Sequence, residues 1–404
     1  MKAASAYSTD SDLHEAIAQT VSKVQQSLGQ ATANLVVLFV THDHEKSYPQ
    51  LAQKVCAALG TKNLIGCTAE SVLEGGMEIE NSSGLSLWAA SIPNAEVELF
   101  HTRFSRSDEG IVFEGLPSQL PEVRGRRHGF AIHLGDPYSC VPDMILKAWG
   151  ERFPDYPVAG AMASGGLGPG DNTLFLGDQM VEEGLVGLSC YSEVMCRTIV
   201  SQGCRPIGPT FIVTKAEKNI IRELGGLPAM QQFRDFFDDL SEVDQELVRQ
   251  GPQIGVVTNE YKEHYSRGDF LISAVLGSEA ETGAIAVGNV IRVGRTIQFQ
   301  VRDAETATED LHALLKVDRA NSATKPTAGL LFTCNGRGSR LFNLPNHDTG
   351  LIREYYGEIP LAGLFAQGEI GPVGNRSYVH GFTASLALFI SPEDIILTEE
   401  TRMS

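Results

Sequence analysis

Three short stretches of this chain share one pattern, and that pattern limits the fold more than any other feature. IGCTAES (65–71), AGAMASG (159–165) and AGLFAQG (362–368) align without gaps, each with a glycine followed three residues later by an alanine: Gly66/Ala69, Gly160/Ala163 and Gly363/Ala366. Each is preceded, at similar distance, by an apolar run of strand length: NLVVLFV (34–40), GFAIHLG (129–135) and AGLLFTC (328–334). A polar loop and a helical stretch fill the interval. Each is followed by a turn region and a last apolar strand: GLSLWAASI (84–92), GLVGLSCYS (184–192) and HGFTASLALFI (380–390). Order and spacing that match three times define one unit, strand–loop–helix–strand–turn–hairpin, used thrice. The continuous first strands predict burial on both faces, and the unit needs parallel and antiparallel neighbours. The expected fold class is therefore mixed α/β (α+β), with the repeated units forming two mixed-sheet domains.

Outside the repeats, residues 11–28 read as a helix capped by Ser11 or Asp12 and closed by Gly29. Between the second and third copies, FIVTKAEKNIIREL (211–224) alternates like a hairpin turning at Lys218–Asn219. Residues 227–251 read as one helix, with Pro228 in its first turn and Gly251 after its end, and 254–303 is strand-rich. This gives an N-terminal helix over 1–33, one domain over 34–226 and a second over 227–404.

The 404 residues carry 50 acidic against 32 basic side chains, a net charge of −18. That balance argues against a nucleic-acid surface and against docking on anionic lipid. The seven cysteines are scattered, with no C-x-x-C pair, which points to reduced, buried thiols in a cytoplasmic protein rather than disulfides or structural zinc. The N-terminus has no apolar core of a secretory signal, and no run reaches the ~18–20 apolar residues of a membrane span, so membrane insertion is not expected.

Candidate binding residues gather where the repeated strands end, because loops at strand carboxyl ends are where ligands sit in open α/β sheets. The most informative loop is Cys334-Asn335-Gly336-Arg337-Gly338. Its two glycines allow an anion-binding nest of N–H groups, and Arg337 is a planar fork for a carboxylate or phosphate. The turn after the third copy, Gln367-Gly368-Glu369, puts polar groups directly after a buried strand; Glu369 has the choice of a ligand amine or an arginine partner. His380 opens the last strand. His42-Asp43-His44-Glu45 lacks a third ligand at metal-site spacing, and GGLGPG (165–170) lacks the Lys-Ser/Thr and the helix of a phosphate loop. No G-x-S-x-G, H-E-x-x-H or Walker sequence occurs, so the chain is not expected to be an enzyme of a motif-bearing class.

LLFTCNGRG (330–338), IPLAGLFAQGEIGPV (359–373) and HGFTASLALF (380–389) resemble the hallmark segments of the FIST family, F-box and intracellular signal transduction proteins. FIVTKAEKN (211–219) and GRTIQFQVRDA (294–304) are similar to further segments of it, in the order FIST-N then FIST-C, with no F-box. The resemblance implies a cytoplasmic sensory or scaffold protein that binds a small ligand, an amino acid or similar carboxylate, and signals through a separate partner. It also implies an alternative, a haem-binding gas sensor, for which His380 is one candidate axial ligand among ten histidines; a protein–protein adaptor without a small ligand, its glycine-rich turns purely structural, is a further alternative. An enzyme with Cys334 as nucleophile and His380 as base is the remaining rival. On the first reading, Arg337 and the glycine nest hold a carboxylate, Glu369 an amine, and the turns at Gly66 and Gly160 form the pocket walls.

Overall fold

The computed structural model describes residues 1–392 apart from Glu109, Ser266, Ala323 and Asn375, with backbone alone at Glu45–Ser47. β1 (Lys2–Ser8) and α1 (Leu13–Leu28) lead into the first repeat: β2 (Leu35–Thr41), α2 (Leu51–Leu59), β3 (Leu64–Ala69), the hairpin β4 (Val72–Glu74) and β5 (Met77–Ile79), and β6 (Leu85–Ser91). A ribbon of β7 (Glu96–Ser107) and β8 (Gly110–Glu114) precedes the second: β9 (His128–Gly135), α3 (Pro142–Arg152), β10 (Val158–Met162), the hairpin β11 (Leu174–Leu176) and β12 (Gln179–Val181), and β13 (Leu185–Ser192). After β14 (Met195–Gln202) comes an insert of β15 (Cys204–Glu217), β16 (Ile220–Leu224), β17 (Leu227–Pro228), α4 (Ala229–Phe237), α5 (Glu242–Gln250), β18 (Gln253–Val257), β19 (Phe270–Ser278), β20 (Ile285–Val287) and β21 (Thr296–Arg302). Helix α6 (Ala304–Asn321) returns the chain to the third repeat: β22 (Ala328–Cys334), α7 (Ser339–Phe342), α8 (His347–Tyr356), β23 (Leu361–Ala366), β24 (Glu369–Val373), β25 (Arg376–His380) and β26 (Thr383–Ile390).

The contacts divide the chain into two compact units. One holds residues 1–200, 312–379 and 384–392; the other holds 201–311 and 380–383. The sequence division at 226 falls between β16 and β17, which pair at Leu224 and Leu227 within the second unit.

In the first unit each repeat builds one sheet around the same three strands. The orders are β1-β6-β2-β3-β11-β12, β25-β24-β10-β9-β13-β7-β8 and β14-β26-β22-β23-β4-β5. The pairs β2–β3, β9–β10 and β22–β23 are parallel, and their registered neighbours are antiparallel, the expected mixture. What the sequence did not reveal is that no repeat keeps its own hairpin. The hairpin of the first repeat pairs with β23 of the third, that of the second with β3 of the first, and that of the third with β10 of the second.

The recurring glycine sits between the parallel partner strand of its own repeat and the borrowed hairpin, and the parallel partner is what requires it. Gly66, Gly160 and Gly363 stand opposite Leu38, His133 and Leu331 of the first strands and opposite Phe175, Ile370 and Leu73 of the borrowed hairpins. A Cβ at these glycines would lie 2.2, 1.9 and 1.8 Å from the carbonyl oxygens of Leu38, His133 and Leu331. No side chain fits there. The alternation of β2 then sorts its side chains: Leu35, Val37 and Phe39 enter a core shared by all three sheets, while Val36, Leu38 and Val40 pack under α1 and α2. Phe130, Ile132 and Leu134 of β9 and Leu330 and Phe332 of β22 fill the same shared core. Its aromatic contacts cross between sheets, as in Phe39–Phe332 (6.2 Å) and Phe130–Phe389 (5.1 Å).

Helix α1 forms as expected, with Asp12 accepting from the His14 and Glu15 amides. The preceding strand β1 was not expected: KAASAYS has no β-branched residue, and its strand state comes from pairing with β6 along its whole length. In the second unit, β15-β21-β18-β19-β20-β16 is antiparallel and closes through β15–β16 pairing, with the turn at Lys218 as expected. The single helix expected over 227–251 is instead two, because Ser241 caps a new start by accepting from the Asp244 amide.

The glycine argument has a direct check. Gly363→Ala forces the sheet apart and lowers stability by at least about 2–3 kcal/mol. Gly150→Ala, on an exposed turn of α3 with nothing within 4 Å of the added carbon, raises it by about 0.5–1 kcal/mol. Thermal melts of the two variants should therefore shift in opposite directions.

Candidate functional site

The three polar turns that follow β3, β10 and β23 meet one another. The Ser164 amide donates to the Thr68 carbonyl (3.2 Å), the Gln367 amide to Met162 (3.2 Å) and the Phe365 amide to Ser71 (2.9 Å), so each repeat is bonded to the next in a ring. The Ser164 hydroxyl, fully buried, takes the Glu70 amide at 2.8 Å and donates to the Phe365 carbonyl. These strands break because their backbones turn to satisfy each other.

Beside this junction lies the loop from β22. Cys334 is registered opposite Ala366, and the Asn335 amide donates to the Ala366 carbonyl at 2.9 Å. The Arg337 amide bonds back to the Cys334 carbonyl (2.9 Å) and the Gly336 amide to the Cys334 Sγ (3.4 Å). Gly338 takes a φ of 59°, which turns the next amide outward. That amide, Ser339 N, meets a carboxylate of the chain itself: Glu80, just after β5, accepts from Ser339 N at 3.1 and 3.2 Å and from its hydroxyl at 2.8 Å.

Arg337 is fully buried and holds a second internal carboxylate. Its Nε and Nη2 each donate to Asp348 at 2.8 Å, a bidentate fork. Burial opposes ionisation of Asp348, but the guanidinium overrides it and holds the carboxyl well below the usual range. The charge of Glu369, itself buried at the start of β24, also acts on Arg337. Arg337 therefore takes its fork partner from α8 rather than from the turn. Its Nη1 has no hydrogen-bond partner among the described residues. Gln367 is exposed, while Gly368 offers its carbonyl to the Met162 amide at 2.8 Å. His380 is buried and groups with the second unit.

Sequence reasoning missed the acidic partners that the exchanged hairpin brings. Glu78 of β5, nearly buried, accepts from the Thr349 amide (3.0 Å) and hydroxyl (3.3 Å) of α8, and its own amide donates to Asn346 (2.7 Å). Burial and the Asp348 charge push its carboxyl up to about 7. It also missed His133 of β9, fully buried edge-on to Trp149 (4.7 Å) and Phe100 (5.4 Å), with neither ring nitrogen hydrogen-bonded among the described residues. Burial pushes its pKa down to about 3.

Among the described residues, the first unit contains cavities of ≈ 350 and ≈ 320 Å³. Neither has Cys334–Gly338, Gln367–Glu369, Gly66 or Gly160 in its wall, and neither is lined by a histidine. Among the described residues, no group of three or more His, Cys, Asp or Glu side chains is placed to hold a metal, and no helix is long and apolar enough to cross a membrane.

Both titrations can be read from stability curves. The folded state keeps the Glu78 proton between about pH 4.5 and 7 while the unfolded state releases it, so its contribution falls as pH rises through that window. Glu78→Gln should remove a loss on the order of 2–3 kcal/mol between those limits. His133 has the opposite sign: the unfolded state takes up its proton below about 6.5, so stability falls as pH drops towards 3. His133→Phe should shift the acid-unfolding midpoint to lower pH.

The FIST N domain family matches residues 34–227 and the FIST C domain family residues 229–372. An uncharacterized protein of Mycobacterium tuberculosis is 39% identical over 383 residues, 95% of this chain and 98% of that one. An uncharacterized protein of Mycobacterium bovis is 36% identical over 384 residues, 95% and 97% of the two chains. FIST domains are associated with signal transduction and small-ligand sensing. With both halves matched in order around this junction, the chain belongs to the FIST family.

Proposed function

We propose that this protein is a non-enzymatic, cytoplasmic small-ligand sensor. Its ligand is a small carboxylate such as an amino acid, received by the Cys334–Gly338 loop and the Gln367–Glu369 turn. One observation carries this reading: the loop already binds a carboxylate, that of Glu80, through a backbone N–H and a hydroxyl next to Gly338. Those are contacts a free carboxylate would use. Glu80 is only partly buried, whereas Asp348 on Arg337 is almost completely so. Glu80 is thus the exchangeable occupant and Asp348 the fixed one. A ligand that displaces Glu80 frees the end of the β4–β5 hairpin, and that release is the signal read by a separate partner protein.

The adaptor reading has its own support, since the three turns are bonded to each other and serve structure without any ligand. Calorimetric titration with a panel of amino acids and short carboxylates separates the two. Glu80→Ala removes the internal competitor and should tighten carboxylate binding by about tenfold. A folded Glu80→Ala variant that binds none of the panel would sink the sensor reading at this loop and leave the adaptor.

A further inference from the structure

The ≈ 350 Å³ cavity is lined by residues from β1, from the tip of the β4–β5 hairpin and from α8 with the segment after it. Its size is within the ~300–1,000 Å³ of small-molecule sites. None of its lining residues belongs to the loop or turn discussed above.

Three charged side chains stand in its wall, Glu74, Arg353 and Glu358. Glu74, the last residue of β4, is partly buried, and its Oε1 accepts from the Ser5 hydroxyl at 2.6 Å, which fixes the carboxyl. Burial raises its pKa. A carboxyl held this way gains most from an incoming cation, which restores the ionisation that burial opposes. Arg353 of α8 lies over Gly76: a Cβ there would come within 3.1 Å of its Cδ and 3.3 Å of its Nη1. The glycine is what lets the arginine lie against the hairpin tip, two residues from Glu74. Arg353 pairs with Glu358, but these side chains are 56% and 81% exposed. An exposed pair of this kind has little net strength and is readily exchanged for another anion.

We infer that this cavity is a ligand site for a small zwitterion, with the ligand's ammonium on Glu74 and its anionic group on Arg353. An ammonium supplies donors to the carboxyl that Ser5 orients, and the guanidinium fork matches a carboxylate. The site is distinct from the Glu80 loop, but the same hairpin serves both, with Glu74–Gly76 at its tip and Glu78 and Glu80 at its far end.

Calorimetric titration of the full chain with β-alanine and γ-aminobutyrate, beside the one-ended probes propionate and butylamine, tests this. At least one zwitterion should bind saturably, and at least about tenfold tighter than either one-ended probe. Glu74→Gln, which keeps an oxygen for Ser5, and Arg353→Gln, which changes an exposed side chain, should each weaken it by at least about tenfold. The loss caused by the two cavity variants should be the same in a Glu80→Ala background, because that substitution acts on the loop and not on this cavity. The inference is overturned if neither zwitterion binds, if the one-ended probes bind as well, or if both cavity variants bind like wild type. Zwitterion binding that changes with Glu80→Ala and not with the cavity variants would place the ligand on the loop, overturning this site while supporting the sensor reading there.

Discussion

Everything in the first unit depends on hydrogen bonds that each repeat makes with a hairpin it does not own. A parallel strand pair such as β22–β23 leaves one edge open, and an open edge buried in a protein is not tolerated. Here the edges of β3, β10 and β23 are covered by hairpins from the second, third and first repeats. The glycine between strand and hairpin allows the close approach, and the ring of turn-to-turn bonds locks the three strand ends together.

That dependence explains where the charged groups are. The hairpin lent by the first repeat carries Glu78 and Glu80 across to the loop and helix of the third, where Thr349, Asn346 and Ser339 receive them. A carboxylate fixed on Arg337 from within α8 completes a polar cluster in which burial, not solvent, sets the strength of each interaction. Glu78 and Asp348 show the consequence: they share one environment, yet the fork of Arg337 fixes the charge of one and burial opposes the charge of the other.

Much of this was legible beforehand, for reasons that can be named. Unbroken runs such as Leu35–Val40 signal strands buried on both faces, and the recurring Gly/Ala offset signals a common backbone constraint. Asp12 and Gly29 bracket α1 because caps are local chemistry. β1 was hidden because its strand state is imposed by β6, and the break at Ser241 because a cap can interrupt a helical periodicity without changing it. At the loop, Gly338 and Arg337 pointed to contacts for a ligand anion, and in the structure carboxylates of the chain itself take them. That Glu80 fills one of those positions was illegible, because residues ~260 apart in sequence, as Glu80 and Ser339 are, meet only through the exchange; Asp348, 11 residues after Arg337, is local and carries no motif that marks it as the partner.

The exchange also has a meaning for biosynthesis. Hairpin β4–β5 leaves the ribosome early, but its partner strand β23 begins at Leu361, after most of the chain has been made. The first repeat must in turn wait for the hairpin at Leu174–Val181 before β3 is covered. Nascent chains of this protein therefore carry exposed strand edges through most of their synthesis, and the ring closes only when the last repeat emerges. A chain organised this way has no stable half: truncation at any repeat boundary leaves a hairpin without its edge and an edge without its hairpin.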